Sequence, residues 1–543
     1  MRNNRKRTAA AGMAVLLSAA VAASGCGKSG GNAPADAKGS AAPSPAAESA
    51  KPAKKLEKLS YWVSMNANSA ATMKSYSDLA AYKKLEEATG VKVDFKHPAG
   101  GQAGDQFNLM MTSNDMTDVI EYNWLNVPGG PEKYIKDGKI VKLNEYIDKY
   151  APNFSKLLKD RPDLKKMIST DSGAIYVFPF LRGDDFLLTY MGTALRKDWL
   201  EQLKLDMPTT IDEWYAVLKA FKEKDPNKNG KPDEIPLLLN WGEWSTSNAF
   251  MGAWGVSSAF YQEDGKIKYG LLEPGFKEFI ATLQKWYKEG LIDADYATTD
   301  AKLRDAKITG DRLGSFVTYT LGRHAQMMEG KHPTFALAAA PYPVLKKGDK
   351  PVLGQKDTAF SGIGAAITTS NKNIEETVKW LDYKYGQQGH MLFNFGVEGD
   401  SYKLDNGYPK FTDMVLKNPD GLPVAHALAK YALSNSSGPF LQDKRWIEQN
   451  AAAAPGGRES LDVWMKAENK KQLPPITPTP EESSQYASIM NDINTYKGEM
   501  LDKFVMGVEP MTGYDKFVST IKSMGIDKAI QIQQAALDRY NKR

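Results

Sequence analysis

The sequence predicts an α/β fold, and three observations carry that prediction. Strand-like runs alternate with amphipathic segments, as in Leu59-Ser-Tyr-Trp-Val63, a helical pattern over 77–89 and then Val91-Lys-Val-Asp-Phe95. The 543 residues point to two to four domains at roughly 100 to 200 residues each. With 42% hydrophobic and 25% charged residues the chain can bury a large core, which excludes a disordered, collagenous or polytopic membrane protein.

The elements follow in order. Arg2, Arg5, Lys6 and Arg7 precede an apolar, small-residue run over 8–23, then Ser24, Gly25 and Cys26. That order reads as a secretory signal over 1–25 ending at a lipid-attachment cysteine, and the run is too short for a membrane span. Ala23-Ser24-Gly25-Cys26 resembles the bacterial lipobox, with Ala where Leu is commoner. As the only cysteine, Cys26 excludes an intramolecular disulfide and a thiolate metal site. Residues 26–57, rich in Gly, Ser, Ala, Pro and Lys, cannot offset chain entropy by burial and form a tether. Residues 1–58 carry a net +7, more than the whole formal charge of +5, leaving residues 59–543 near −2. A body without a basic face has no electrostatic case for nucleic acid.

Within the body, helical periodicity predicts further helices over 131–137, 210–224, 275–289, 373–388 and 484–505. Strands are expected around Val119, 175–178, 313–318, 335–339 and 364–367. Pro208, Thr209 and Thr210 before Asp212 and Glu213 mark a helix start, with acidic residues favourable to the dipole. Trp199, Trp214, Trp286 and Trp380 fall within helical patterns and read as packing residues. The Pro-rich run 473–480 reads as an extended surface crossing.

Ser113-Asn-Asp-Met-Thr-Asp118, Asp171-Ser-Gly-Ala-Ile-Tyr-Val-Phe-Pro179, Leu195-Arg-Lys-Asp-Trp-Leu200, Glu289-Gly-Leu-Ile-Asp293, Val378-Lys-Trp-Leu-Asp382 and Phe395-Gly-Val-Glu-Gly399 occur in that order. Together they resemble the family 1 extracellular solute-binding proteins, lipid-anchored receptors of carbohydrate ABC importers, over nearly all of 58–543. The resemblance implies a type II periplasmic-binding-protein-like fold, two α/β lobes with a ligand cleft between them. Chain crossings would fall at Pro179 and at Ala340-Pro-Tyr-Pro343. One lobe would hold 58–180 plus 350–410, the other 181–345 plus 411–543. It further implies a monomer, lipid-anchored on the extracytoplasmic face of the cell membrane, that captures an oligosaccharide by lobe closure and passes it to permease subunits.

Residues 225–234 place Asp225, Asn227, Asn229, Asp233 and Glu234 at loop positions 1, 3, 5, 9 and 10, with Gly230 at the sharp turn and the Lys231 carbonyl at position 7. This matches the first half of an EF-hand, with Pro236 where a bidentate Glu would close it. Alginate-oligosaccharide-binding members of the family carry calcium in such a shortened loop, so the resemblance implies structural Ca2+. The alternative is a solvated Asx turn.

The cleft signal is aromatic: Trp62, Trp124, Trp241, Trp244 and Tyr319 fall near expected strand ends, where ligands of open α/β sheets gather. Asn66, Asp118, Arg182, Glu243 and Glu398 supply polar partners for sugar hydroxyls; Arg182 also suits a uronic carboxylate, or equally an internal pair with Asp184 or Asp185. Asn, Gly and Glu around Trp241 and Trp244 suggest an exposed loop. The five histidines lack metal-ligand spacing, and neither HExxH nor GxSxG occurs. No catalytic residues are therefore assigned. A polysaccharide lyase or glycosidase resting on two carboxylates remains the rival class, as does a sensor or scaffold ectodomain.

Overall fold

The computed structural model describes residues 56–319, 321–328, 330–433, 437–452 and 455–543. The signal, Cys26 and most of the tether lie outside the described residues.

The first sheet has five strands in the order Lys92–Lys96, Lys58–Val63, Val119–Asn123, Ile363–Ile367 and Phe178–Pro179. Its first three strands run parallel, with Tyr61 opposite Val119 and Trp62 opposite Ile120. Ile363–Ile367 enters antiparallel. Val, Ile and Tyr fill the central strands because helices cover both faces. The helix Ala80–Thr89 returns the chain between the first two strands and stops at Gly90, whose φ of 71° is a left-handed cap.

The second sheet orders Leu337–Ala339, Met191–Arg196 and Ser315–Tyr319, all antiparallel to their neighbours. Single parallel bridges, Ile235 to Leu313 and Leu237 to Ile292, widen it. Its central strand, Met191–Arg196, escaped the sequence reading because all six residues are buried and show no alternation. Gly192 is required there, since a Cβ would lie 2.4 Å from the Trp464 indole.

Two large cores follow these sheets. One gathers Leu59, Ile120, Phe154 and Ile367. The other is built on Trp199, Trp214, Trp286 and Phe279. A third, smaller cluster joins the hairpin Tyr402–Asp405/Tyr408–Phe411 to the helices Lys444–Ala452 and Gly457–Trp464. Leu433 and Phe440, expected with the second lobe, pack in the first core. The second crossing also comes later than Ala340–Pro343: Tyr342 is still within the second core, and the chain reaches the first at Ala359 and Phe360.

Local signals placed the long helices well. Thr210 and Glu213 form a reciprocal capping box on Ile211–Glu223. The Pro-rich run ends in the same device, Thr479 with Glu482, so Pro480–Val505 starts at its proline, four residues before the expected 484. The pattern over 373–388 divides at Gly386 into Ile374–Asp382 and Gln387–Phe395.

The lobes are joined by a short ribbon of backbone hydrogen bonds. Phe180 N donates to Ile363 O (2.9 Å), Leu181 N to Phe440 O (3.0 Å) and Arg182 N to Ala359 O (2.9 Å). Three chain segments therefore cross side by side. At the C-terminus, Arg539 bridges Glu482 and Asp171, and Arg543 also holds Asp171, tying the last helix to the first lobe.

Candidate functional site

The strand ends Val63, Asn123 and Tyr319 all approach the crossings, which places the base of the cleft there. At that base Tyr319 is 59% exposed and lies parallel to Tyr190, ring centroids 5.9 Å apart and planes 7° from parallel. Tyr190 is fixed from behind. Its hydroxyl donates to Asp357 (3.0 Å), and its backbone N–H donates to Gln355 Oε1 (2.7 Å). Gln355 in turn donates to Asp357 Oδ1 and Leu188 O, both at 3.1 Å.

Arg182, 7% exposed, stands over Tyr190 and Phe180, its guanidinium 5.6 and 5.8 Å from their centroids. Its Nη1 lies 2.9 Å from Asp357 Oδ2, an ion pair although the N–H is not aimed along a hydrogen bond. Burial, with Asp357 beside it, holds the Tyr190 phenol well above its ordinary pKa. The outer face of Tyr319 is thus an open aromatic surface on a rigid support.

Two further pairs follow the same strand end. Arg304 bonds Glu243, and Arg323 bonds Asp305. Burial raises the Glu243 carboxyl while Arg304 opposes the shift. Between them His324 is held neutral, its pKa lowered to about 3 chiefly by burial and further by the two arginine charges. Tyr190, Gln355, Asp357, Arg304 and Arg323 were not found from sequence, because nothing local marks residues brought together across the fold.

The predicted residues separate sharply. Trp124 is wholly buried, its indole N–H donating to Gly364 O at 3.1 Å, so it has no face for a sugar. Trp62 packs against the stacked pair Phe107 and Tyr122 in the first core. Trp244, expected on an exposed loop, is 0% exposed and stacks on Phe250 at 4.7 Å. The Asn-Trp-Gly-Glu pattern is a helix start instead: Asn240 caps Trp241–Ser247 by accepting from Glu243 N. Trp241 is half-buried, with its N–H donated to Asp502 at 2.8 Å.

Asp118 begins its strand at the end remote from the crossings, about 15 Å away at strand rise, and accepts from Ser60 N and Oγ. Glu398 is exposed in a separate groove with Lys84, His390 and Arg445. Asn66 stays near the crossings, capping Ala67–Ala70 and donating to Ser437 Oγ at 3.2 Å. Beside it the buried Glu121 accepts from Tyr61 OH and Gly438 N. Nearby Lys384 sits among the rings of Tyr82, Trp380 and Phe393. Burial pushes Glu121 up and Lys384 down, and their mutual attraction opposes both shifts.

The loop Asp225 to Glu234 lies at the opposite end of the second lobe. Asp225 accepts from Asn229 N and Gly230 N, Asn229 Oδ1 from Lys231 N, and Asp233 from Asn229 Nδ2. Both oxygens of Glu234 are buried without a hydrogen-bond partner. Burial raises its pKa, and the neighbouring Asp225 and Asp233 charges add to the rise. Among the described residues no group of three or more His, Cys, Asp and Glu side chains is gathered as a metal centre.

A model of bacterial extracellular solute-binding proteins matches residues 66–391. The fructooligosaccharide ABC transporter substrate-binding protein FusA of Streptococcus pneumoniae is 26% identical over 500 residues, 88% of this chain and 90% of that protein. Lipoprotein LipO of Bacillus subtilis is 27% identical over 463 residues, covering 83% and 84%. The alginate-binding protein AlgQ2, solved without calcium ion, superposes with a TM-score of 0.71 at 29% identity, covering 89% of this chain and 98% of that one. FusA in complex with kestose gives 0.74 at 25% identity, covering 89% and 99%. An EF-hand mutant of FusA has also been solved, at a TM-score of 0.73, 24% identity and the same coverage.

The burial pattern yields a paired expectation. Trp244→Ala should lose about 3 to 5 kcal/mol of folding stability, as a large core truncation does. Tyr319→Ala should change stability by no more than about 0.5 kcal/mol. Denaturant melts of both variants check this, and equal losses would place Tyr319 in the packing.

Proposed function

Because the chain belongs to the bacterial extracellular solute-binding proteins, we propose that it is an oligosaccharide receptor which closes its lobes on the sugar and passes it unchanged to an ABC importer. The observation that carries this is the open face of Tyr319, backed by Tyr190, at the base of the cleft. A pyranose or furanose ring presents C–H groups that stack on such a face, and Asn66 and Asn123 at the facing strand ends offer donors and acceptors to its hydroxyls. FusA, solved with kestose, supports the same class of ligand. Closure would bend the crossing ribbon at 180–183, 353–363 and 438–443 and bring the asparagines towards the tyrosine pair. In this reading the first lobe is led by the five-stranded sheet, the second by the three-stranded one.

The reading extends to a calcium ion in the loop at 225–234, although its carboxylates are not drawn together as a centre in this structure. Glu234 lacks any partner for either oxygen, and two further carboxylates, two amide side chains and the Lys231 carbonyl lie within the same ten residues. A cation there would be structural. It would hold the Glu234, Asp225 and Asp233 charges together, far from the sugar. The same reading places diacylglycerol on Cys26 and the body outside the membrane on its tether, in keeping with the lipoprotein relative LipO. Among the described residues no helix is long and apolar enough to cross a membrane.

Titration calorimetry against an oligosaccharide panel tests the receptor. Tyr319→Ala should weaken binding about thirtyfold, roughly 2 kcal/mol, and the sugar should be recovered intact; sugar cleaved in proportion to protein would make it an enzyme. Chelator should lower the melting temperature of the wild type but not of the double variant Asp225→Ala/Asp233→Ala. At a hundredfold excess over the dissociation constant that linkage is about 2.7 kcal/mol. Cys26→Ser should move the protein from the membrane fraction to the medium, and retention like wild type would remove the lipid anchor.

A further inference from the structure

We infer that the cleft selects neutral oligosaccharides and disfavours uronic ones, because each arginine around Tyr319 already holds a carboxylate of its own chain. This rests on the receptor reading above and adds the charge class of its ligand. Arg182 is paired with Asp357 at 2.9 Å, Arg304 with Glu243, and Arg323 with Asp305. Three cations and three anions leave this wall without a net charge to offer. Further out along the crossings, Lys356 and Lys444 also stand against Asp185 and Asp184, at 3.7 and 3.3 Å. The facing strand ends contribute Ser64, Asn66 and Asn123, which carry no charge.

A uronic carboxylate seated on Tyr319 would approach Arg182 from a side where Asp357 already neutralises it. Taking Asp357's place would cost the hydrogen bonds that Asp357 accepts from Tyr190 OH and Gln355 Nε2, which hold the platform in position. Staying beside it would put two carboxylates against one guanidinium in a partly desolvated site. A neutral ring asks for neither. Its hydroxyls can use the remaining lone pairs of the paired carboxylates and the asparagine amides, while its C–H face takes Tyr319. Arg182, which the sequence allows either as a partner for a uronic carboxylate or as an internal ion pair, therefore acts as a support for the aromatic pair.

The test is calorimetric titration of the purified chain with two series matched in length, neutral fructo-, malto- and manno-oligosaccharides and acidic mannuronate and galacturonate oligomers. A neutral ligand bound at least about tenfold tighter than any acidic one, with little salt dependence, is expected. An acidic oligomer bound as tightly or tighter, and weakened by salt, overturns the charge assignment while leaving the receptor reading intact. Binding of no sugar from either series overturns both. Asp357→Asn, which releases the Arg182 charge, should raise affinity for the acidic series about tenfold; no gain in a folded variant overturns the role given to the pair. If that variant melts too early to titrate, Asp305→Asn, which frees the exposed Arg323, is read in the same way.

Discussion

Three chain segments must pass between the lobes through a space only a few residues wide, and the hydrogen bonds of residues 180–183 hold them together. Arg182 N bonds one neighbouring segment and Leu181 N the other, so the first crossing lies between the remaining two. Gly183 completes the ribbon because a Cβ at that position would lie 2.8 Å from Gln442 O. The side chain of Arg182 leaves this ribbon to meet Asp357 on a neighbouring crossing and Tyr190 at the start of the second lobe. The cleft base is thereby assembled from the hinge itself, and any rotation of the lobes is felt where the ligand would sit.

The same economy of buried charge runs through the second lobe. Arg196, 1% exposed, is held by Asp198 and Asp311 and stacked between Trp199 and Phe335. The Asp311 carbonyl accepts from Asn227 of the 225–234 loop at 3.0 Å. A continuous line therefore runs from that loop through Asp311 and Arg196 along the central strand to Met191, beside Tyr190. Bonded contacts thus connect the loop to the strand that leads to the aromatic platform, although the two lie at opposite ends of the lobe.

Sequence patterns located the elements better than the site. The helix start at Thr210 is readable because acidic residues follow it within three positions, whereas the start at Thr479 is hidden inside the Pro-rich run and precedes the expected 484. At Trp241 and Trp244 the polar neighbours suggest an exposure that the fold does not provide. Asn240 and Glu243 are polar in order to cap a helix, and Trp244, one residue on, points inward. Met191–Arg196 gave no signal, since a strand buried on both faces has no alternation to read.

Local chemistry was determined by the sequence alone: the α/β alternation, the capped helices, the oxygen-rich turn around Gly230, and the family resemblance built from ordered short motifs. These depend on residues within a few positions of one another, whose geometry the backbone dictates. Which aromatic faces water, and which cation is already satisfied, was decided only by the tertiary structure. Tyr190 and Asp357 are 167 residues apart, and Trp241 and Asp502 are 261 apart. Burial and ion pairing at such separations are properties of the packed chain, because no local pattern encodes the neighbour that folding supplies.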